Sequence, residues 1–353
     1  MKPHPRIVTL TLLLVCAVSL FPLPAPAAGT RAGAQAACVQ YGAFSKNVSY
    51  IVAKREGFFA GEGLQVCYNQ VISSNQQFAT LFAGGYDIIS AASDNIVTRY
   101  INSNLPVSIV AGLEKNNDQV LAVNTARGIN TIADLRGKPI AVDAPDTGFS
   151  FLLRKILADN GLFLENGDYS LQPVGGVALR YAALQAGQTP GGQPVYASMI
   201  NYPFAAQLHA PVVVLARAED HFFPYQGGTF AVRHDYSASQ PQTIVNFLRA
   251  MINAGDFARK PQNREVVIAH IAAELNVSLE IAARELDASL DHQTGENHKA
   301  KVDKQNLIGT IQLRARFGGF TAPLGDINEL VNPCPNCLYD DRFWKEAMRG
   351  GGQ

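Results

Sequence analysis

The stretch from Thr131 to Gly161, TIADLRGKPIAVDAPDTGFSFLLRKILADNG, constrains the fold of this chain more than any other. Thr131 is placed to cap a short helix, with Asp134 in its first turn, where the helix dipole favours a carboxylate. Ile140–Ala141–Val142 is a short apolar run of the kind that forms a buried strand. A turn of small and polar residues follows, Asp143 through Ser150. Phe149, Leu152, Leu153, Ile156 and Leu157 then recur at helical spacing, and Asn160-Gly161 supplies the stop. The polar turn therefore lies at the carboxyl end of a strand and at the amino end of a helix. In open α/β sheets ligands bind at that junction, because free backbone N–H groups point outward there.

The same unit recurs along the chain. Strands are expected at Cys38–Tyr41, Leu64–Tyr68, Tyr86–Ser90 and Val107–Ala111, each of the first three followed by a polar turn and a helix. Val120–Val123 reads as a strand crossing to a second lobe. That lobe continues through Ile140–Val142, Ser170–Val174, the helix Val177–Ala186 and Pro194–Met199. Val212–Leu215 is expected to return to the first lobe, with Thr229–Val232 beside it. Residues 242–290 read as amphipathic helix, Asp291–Lys304 as a solvated surface segment, and Ile308–Phe317 as helix again. Strand, turn and helix in repetition give an α/β protein with mainly parallel sheets. The expected organisation is residues 29–118 plus 216–353 as lobe 1 and residues 119–215 as hinge and lobe 2, two βαβ lobes joined by crossing hinge strands around a ligand cleft.

At 353 residues the chain exceeds one ordinary core, in keeping with two lobes. Residues 1–28 read as a signal peptide: Lys2 and Arg6, an apolar run Ile7–Phe21, then the small-residue site Ala25-Pro26-Ala27, with cleavage near Ala27. The run is short for a membrane span, and Leu14-Val15 before Cys16 fits a lipoprotein site poorly. Loss of the leader removes two of 29 basic groups and none of the 29 acidic ones, a balance of about −2 that offers no argument for nucleic acid, which would want a basic stripe. Export leaves Cys38, Cys67, Cys334 and Cys337 in an oxidising compartment. Cys38 and Cys67 fall in strands expected to be neighbours, and Cys334-Pro-Asn-Cys337 follows Asn332-Pro333, a setting for a local staple rather than a redox motif.

Several motifs in this order resemble those of periplasmic substrate-binding proteins of ABC importers. Ala53-Lys-Arg-Glu-Gly-Phe-Phe with Gly63-Leu-Gln-Val is similar to their opening. Ala83-Gly-Gly-Tyr-Asp-Ile resembles their step into the third strand, and Asp134-Leu-Arg-Gly-Lys-Pro-Ile-Ala their entry to the second lobe. Leu184-Gln-Ala-Gly-Gln is similar to a later helix end, although Thr189-Pro-Gly-Gly-Gln-Pro-Val stands where the family usually has an Asp. The likeness covers residues 38–215 and is strongest to the group for sulfonates, nitrate and thiamine-pyrimidine precursors. It implies a type II periplasmic binding fold, a monomer with a small-molecule ligand, an ABC transporter permease as partner, a periplasmic location, and no catalysis, cofactor or metal.

By fold logic the pocket is made from the turns after strands. The first lobe offers Phe44, Ser45, Asn47 and Ser49, then Ser73, Ser74 and Asn75, then Ser93 and Asp94. The second offers Asp146, Thr147, Gly148, Phe149 and Ser150, with Asn201 and Tyr202. Each polar member is also a good helix cap, and Phe149 fits the apolar helical face equally well. Thr147, Gly148 and Ser150 suit an oxyanion such as an alkylsulfonate or nitrate. If Asp94 and Asp146 face the cleft, an amine or a pyrimidine-like heterocycle with N–H donors fits better, with Tyr202 or Phe44 stacking on it.

An exported enzyme or a sensory module on the same fold is the rival reading. The chain has no Gly-x-Ser-x-Gly elbow, His-Glu-x-x-His pair or P-loop. His209, His221, His234, His270, His292 and His298 are scattered, and the last two sit in a polar segment that suggests solvent rather than metal. The resembling group also includes a class that makes the thiamine pyrimidine, with iron held by a cysteine-rich motif. That motif is absent from this sequence.

Overall fold

The computed structural model describes residues 38–350, so the signal-peptide reading of residues 1–28 lies outside the described residues. Ten strands form two five-stranded sheets. The first contains β1 (Val39–Ala43), β2 (Val66–Gln70), β3 (Ile88–Ala92), β4 (Val107–Gly112) and β10 (Gly228–Arg233), in the order β2-β1-β3-β10-β4. The second contains β5 (Val120–Asn124), β6 (Pro139–Val142), β7 (Ser170–Pro173), β8 (Ala197–Ile200) and β9 (Val212–Arg217), in the order β7-β6-β8-β5-β9.

Each sheet is parallel except for one strand that enters late or early in the chain. β1 pairs parallel with β2 and β3, while β10 inserts antiparallel between β3 and β4. In the second sheet β6 pairs parallel with β7 and β8, and β5 lies antiparallel between β8 and β9. The two sheets are therefore the same design, linked where the chain passes from β4 to β5 and from β9 to β10. This is an α/β fold of two lobes.

One strand departs from the sequence reading. Val212–Leu215 does not return to the first sheet; it is part of β9, which pairs with β5 on the edge of the second. Val213 and Val214 are exposed there, so the apolar run marks an edge strand rather than a buried one. The return to the first lobe is made by β10, which is buried along nearly its whole length.

Apolar helical faces cover both sheets. Val48–Arg55 and Pro241–Ala258 pack through Tyr50, Ile51, Phe247 and Leu248 onto Tyr41 and Phe230 of the first sheet. Gly148–Asp159 and its neighbours bury Leu152, Leu153, Ile156 and Leu157 against Leu121, Ile140 and Val142 of the second. Asn47 caps the first of these helices by accepting from the Tyr50 N–H at 3.2 Å, and Ser73 caps Ser74–Phe82 by accepting from the Gln76 N–H. Disulfides join Cys38 to Cys67, at the paired starts of β1 and β2, and Cys334 to Cys337.

Candidate functional site

The carboxyl ends of the parallel strands face one another across a cleft with about 940 Å3 of free space, part of it open to solvent. Phe44, Ser45 and Asn47 follow β1, Ser74 follows β2, Ala92 and Asn95 end and follow β3, and Leu113 and Glu114 follow β4. From the second lobe come Asp143, Thr147 and Phe149 after β6, and Asn201 and Tyr202 after β8, with Val177 and Arg180 on the helix Val177–Ala186. Asp118 lies on the β4–β5 crossing. Glu285, Ala288 and Ser289 on the helix Leu279–Ser289, with Thr294, Gly295 and Glu296 beyond it, close the remaining side.

The two lobes touch directly across this cleft. The Ser74 N–H donates to Asp143 Oδ2 at 3.0 Å, and the Ser74 hydroxyl donates to the same oxygen. Asn95 ties the pair to the opposite helix: its Nδ2 donates to Ser74 Oγ at 3.1 Å, and its Oδ1 accepts from the Gly148 N–H at 2.8 Å. The Gly176 N–H donates to the Ile72 carbonyl at 2.8 Å. Gly148 is needed at its position, because a Cβ there would lie 2.7 Å from Asp94 Cβ. These hydrogen bonds hold the two lobes together along one side of the cleft.

Of the residues singled out from sequence, Phe44, Ser45, Asn47, Ser74, Thr147, Phe149, Asn201 and Tyr202 line the cleft. The others are engaged in holding the fold. Ser49 donates through its backbone and its hydroxyl to Glu296; Ser73 is a cap; Asn75 accepts from Arg99; Ser93 donates to the Gln226 carbonyl. Ser150 donates to the Ala144 carbonyl at 2.7 Å, and Gly148 serves the lobe contact. The two aspartates on which the ligand's charge was to turn do not face the cleft. Asp94 is wholly buried against Arg314, whose Nε donates to Asp94 Oδ1 at 2.7 Å, and Asp146 lies at the surface, 3.8 Å from Arg99. Burial raises the Asp94 carboxyl and Arg314 offsets that only in part.

The charge in the cleft comes from other residues. Five carboxylates line it, Glu114, Asp118, Asp143, Glu285 and Glu296, against one guanidinium, Arg180. Glu296 sits on the amino end of the helix Val48–Arg55, its carboxylate accepting from the Val48 N–H at 2.6 Å and the Ser49 N–H at 3.0 Å. Asp291–Lys304 is thus more than a solvated segment, since it threads a carboxylate onto a helix dipole inside the site. Glu114 accepts from the Gly228 N–H at 2.8 Å, yet burial, with Asp118 adding to it, holds its carboxyl well above the usual range. Burial pushes Asp118 up to about 7 despite the Tyr202 N–H that it accepts at 2.9 Å. Glu285 is raised well above its ordinary value by burial and by Glu296, Asp118 and Glu114. Burial pulls Arg180 down to about 10 against the attraction of Asp143, and its donors go to the carbonyls of Gly175 and Met199 and to Ser198 Oγ.

Asp143 and Glu114 obey the rule that residues just after a strand's carboxyl end face the ligand, so that signal was present in the sequence. Glu285 and Glu296 carried no local signal. One sits among the charges of an amphipathic helix and the other in a polar segment.

The sequence profile of the family described as NMT1/THI5 like matches residues 45–264. The chain belongs to this family. The match takes in both lobes of the NMT1/THI5 like chain and stops short of Glu285 and Glu296. No curated protein sequence matches the chain significantly. Among solved structures, the alkanesulfonate-binding protein SsuA of Xanthomonas axonopodis pv. citri, bound to MOPS, is 18% identical with a TM-score of 0.66, covering 86% of this chain and 96% of that one. The periplasmic nitrate-binding protein NrtA of Synechocystis PCC 6803 is 17% identical with a TM-score of 0.69, covering 89% and 88%. The Candida albicans CA3427 gene product, described as having the generic periplasmic binding protein fold, is 14% identical with a TM-score of 0.65, covering 83% and 93%. This NMT1/THI5 like chain has the periplasmic binding protein fold.

Proposed function

We propose that the chain is the extracytoplasmic solute-binding component of an ABC importer, which captures a small molecule by closing two lobes on it and hands it to a membrane permease. The observation that carries this reading is a cleft at the carboxyl ends of both sheets, bridged by Ser74, Asn95 and Asp143 and lined by aromatic and charged side chains. The named sulfonate- and nitrate-binding relatives share this fold, which supports a transport role. The acidic lining favours a ligand rich in N–H donors, an amine or a pyrimidine-like heterocycle, with Phe44, Phe149 and Tyr202 as apolar walls. An oxyanion is less well received at the amino ends of Val48–Arg55 and Gly148–Asp159, which already have acceptors, Glu296 on Val48 and Ser49 and Asn95 on Gly148; the amino end of Val177–Ala186, which has no side-chain cap and whose Val177 lines the cleft, is the place left for one.

Native mass spectrometry of the exported protein, followed by release of whatever is bound, tests the reading. One equivalent of a small molecule, with affinity retained on rebinding, is expected. Absence of any bound molecule, together with no thermal shift across amines, pyrimidines, sulfonates and nitrate, would return the sensory or enzymatic alternative to the front.

A further inference from the structure

The five carboxylates of the cleft are not equivalent, and pairing each with its nearest compensation isolates one. Asp143 accepts from Ser74 and attracts Arg180. Glu296 takes the amino end of a helix, and Glu114 takes the Gly228 N–H. Asp118 accepts from the Tyr202 N–H through Oδ2, while its Oδ1 has no partner. Glu285 is 4% exposed, and among the described residues nothing donates a hydrogen bond to it, with Oε2 fully enclosed and unpartnered. A buried carboxylate left in that state is strongly unfavourable unless it takes up a proton or meets a cation.

We propose that Glu285, with Asp118 beside it, anchors a positively charged nitrogen of the ligand, an ammonium or an amidinium. The inference rests on the solute-binding reading and narrows its ligand class. Neutral N–H donors would satisfy the lone pairs of these two groups, whereas a cation also offsets the mutual repulsion of Glu285 with Glu296, Asp118 and Glu114 in their ionised forms. Arg180 does not serve as internal counter-ion to Glu285: the carboxylate that acts on it is Asp143, and its Nε and Nη1 donate to Gly175, Ser198 and Met199. A bare metal ion suits the cluster poorly: among the described residues no three Asp, Glu, His or Cys side chains converge as metal ligands. The flat faces of Phe44, Phe149 and Tyr202 line the same cleft and suit an organic body attached to the cationic group. Glu296 adds the complementary exclusion. It occupies the amino end of Val48–Arg55, one of the helix ends at which an anionic group would otherwise be received, so one carboxylate calls for the cation and another withholds that end from an anion.

The test uses the mature full-length protein with matched probes, followed by thermal shift and calorimetry. Benzamidine and benzamide have the same outline and differ in charge, as do tyramine and tyrosol; benzenesulfonate and nitrate complete the set. Wild-type protein is expected to be stabilised by benzamidine or tyramine and not by the neutral partner. Glu285→Gln is expected to keep the unliganded melting temperature or raise it, and to weaken the cation by at least about tenfold. Glu285→Asp is expected to recover part of the affinity. Equal binding of charged and neutral partners overturns the inference while leaving solute binding intact, as does stabilisation by benzenesulfonate or nitrate alone. Unchanged cation affinity in Glu285→Gln removes the anchor. Failure of all six probes also overturns the inference, and native mass spectrometry of the exported protein then judges the solute-binding reading separately.

Discussion

Replacing Asp94 by asparagine should damage the fold rather than the affinity. Asp94 and Arg314 are 0% and 1% exposed, and beyond Asp94 the guanidinium donates to the carbonyls of Asp146 and Gly319 and lies 4.2 Å over the Phe151 ring. Forming such a pair gains little net energy, in line with the raised Asp94 carboxyl, but removing one charge leaves the other buried without compensation, at about 3–5 kcal/mol. With about 2 cal/mol/K of unfolding entropy per residue over some 310 ordered residues, a loss of 4 kcal/mol lowers the melting temperature by about 6 °C. Thermal and urea unfolding followed by far-UV circular dichroism measures the effect. Arg314→Met in the Asp94→Asn background should restore more than half of it, because the uncompensated cation is then gone. An Asp94→Asn variant melting within about 1 °C of wild type would show that the buried pair is not the tie described here.

Other measurements probe separate parts of the molecule. Ser74→Ala removes the hydroxyl hydrogen bond to Asp143 across the cleft and leaves the Ser74 N–H bond in place; a loss of about 1.5–3 kcal/mol should weaken ligand binding roughly 10- to 150-fold and enlarge the radius of gyration in X-ray scattering, and an unchanged affinity would mean that the hydroxyl does not hold the lobes together. Because Asp118 is pushed up to about 7, the folded protein holds its proton where an unfolded chain, titrating near 4, has lost it. Stability contributed by this group is therefore present below about pH 4 and declines as pH rises to about 7; Asp118→Asn should flatten the melting temperature across that window, and an identical slope in both proteins would be the contrary result. Cys38→Ser with Cys67→Ser opens a link between residues 29 apart, for which chain entropy gives about 3–4 kcal/mol, against about 2 kcal/mol for Cys334–Cys337. Urea titrations of the two double variants should rank in that order, and the reverse ranking would count against the entropic account.

The strands were legible because their apolar runs are short, rich in Val and Ile, and bounded by polar turns; Ile88–Ala92 and Val107–Gly112 are buried as such runs should be. Partnership was not legible. Val212–Leu215 reads the same whether it joins one sheet or the other, and only the pairing with β5 assigns it to an exposed edge. Caps posed a related difficulty: Ser73, Ser93 and Asp94 occupy the positions that ligand contacts also occupy, and what separates the roles is a residue far along the chain. Arg314, 220 positions from Asp94, draws that carboxylate away from the cleft. Glu285 and Glu296 illustrate the converse, since a charge on an amphipathic helix or in a polar loop looks solvated until the tertiary fold turns it inward.

The cleft's walls come from the segment that marks the family, residues 45–264, while two of its carboxylates arrive from the tail beyond it, at 285 and 296. Kinship is thus written in one segment and the charge of the cleft in two, with Glu114, Asp118, Asp143 and Arg180 inside that segment and Glu285 and Glu296 beyond it. Altering a few tail codons would therefore retune the acidity of the cleft while leaving its sheets and aromatic walls untouched. The same division suits sensor building: grafted tails on a constant pair of lobes would form a library whose members close alike and differ in what they close upon.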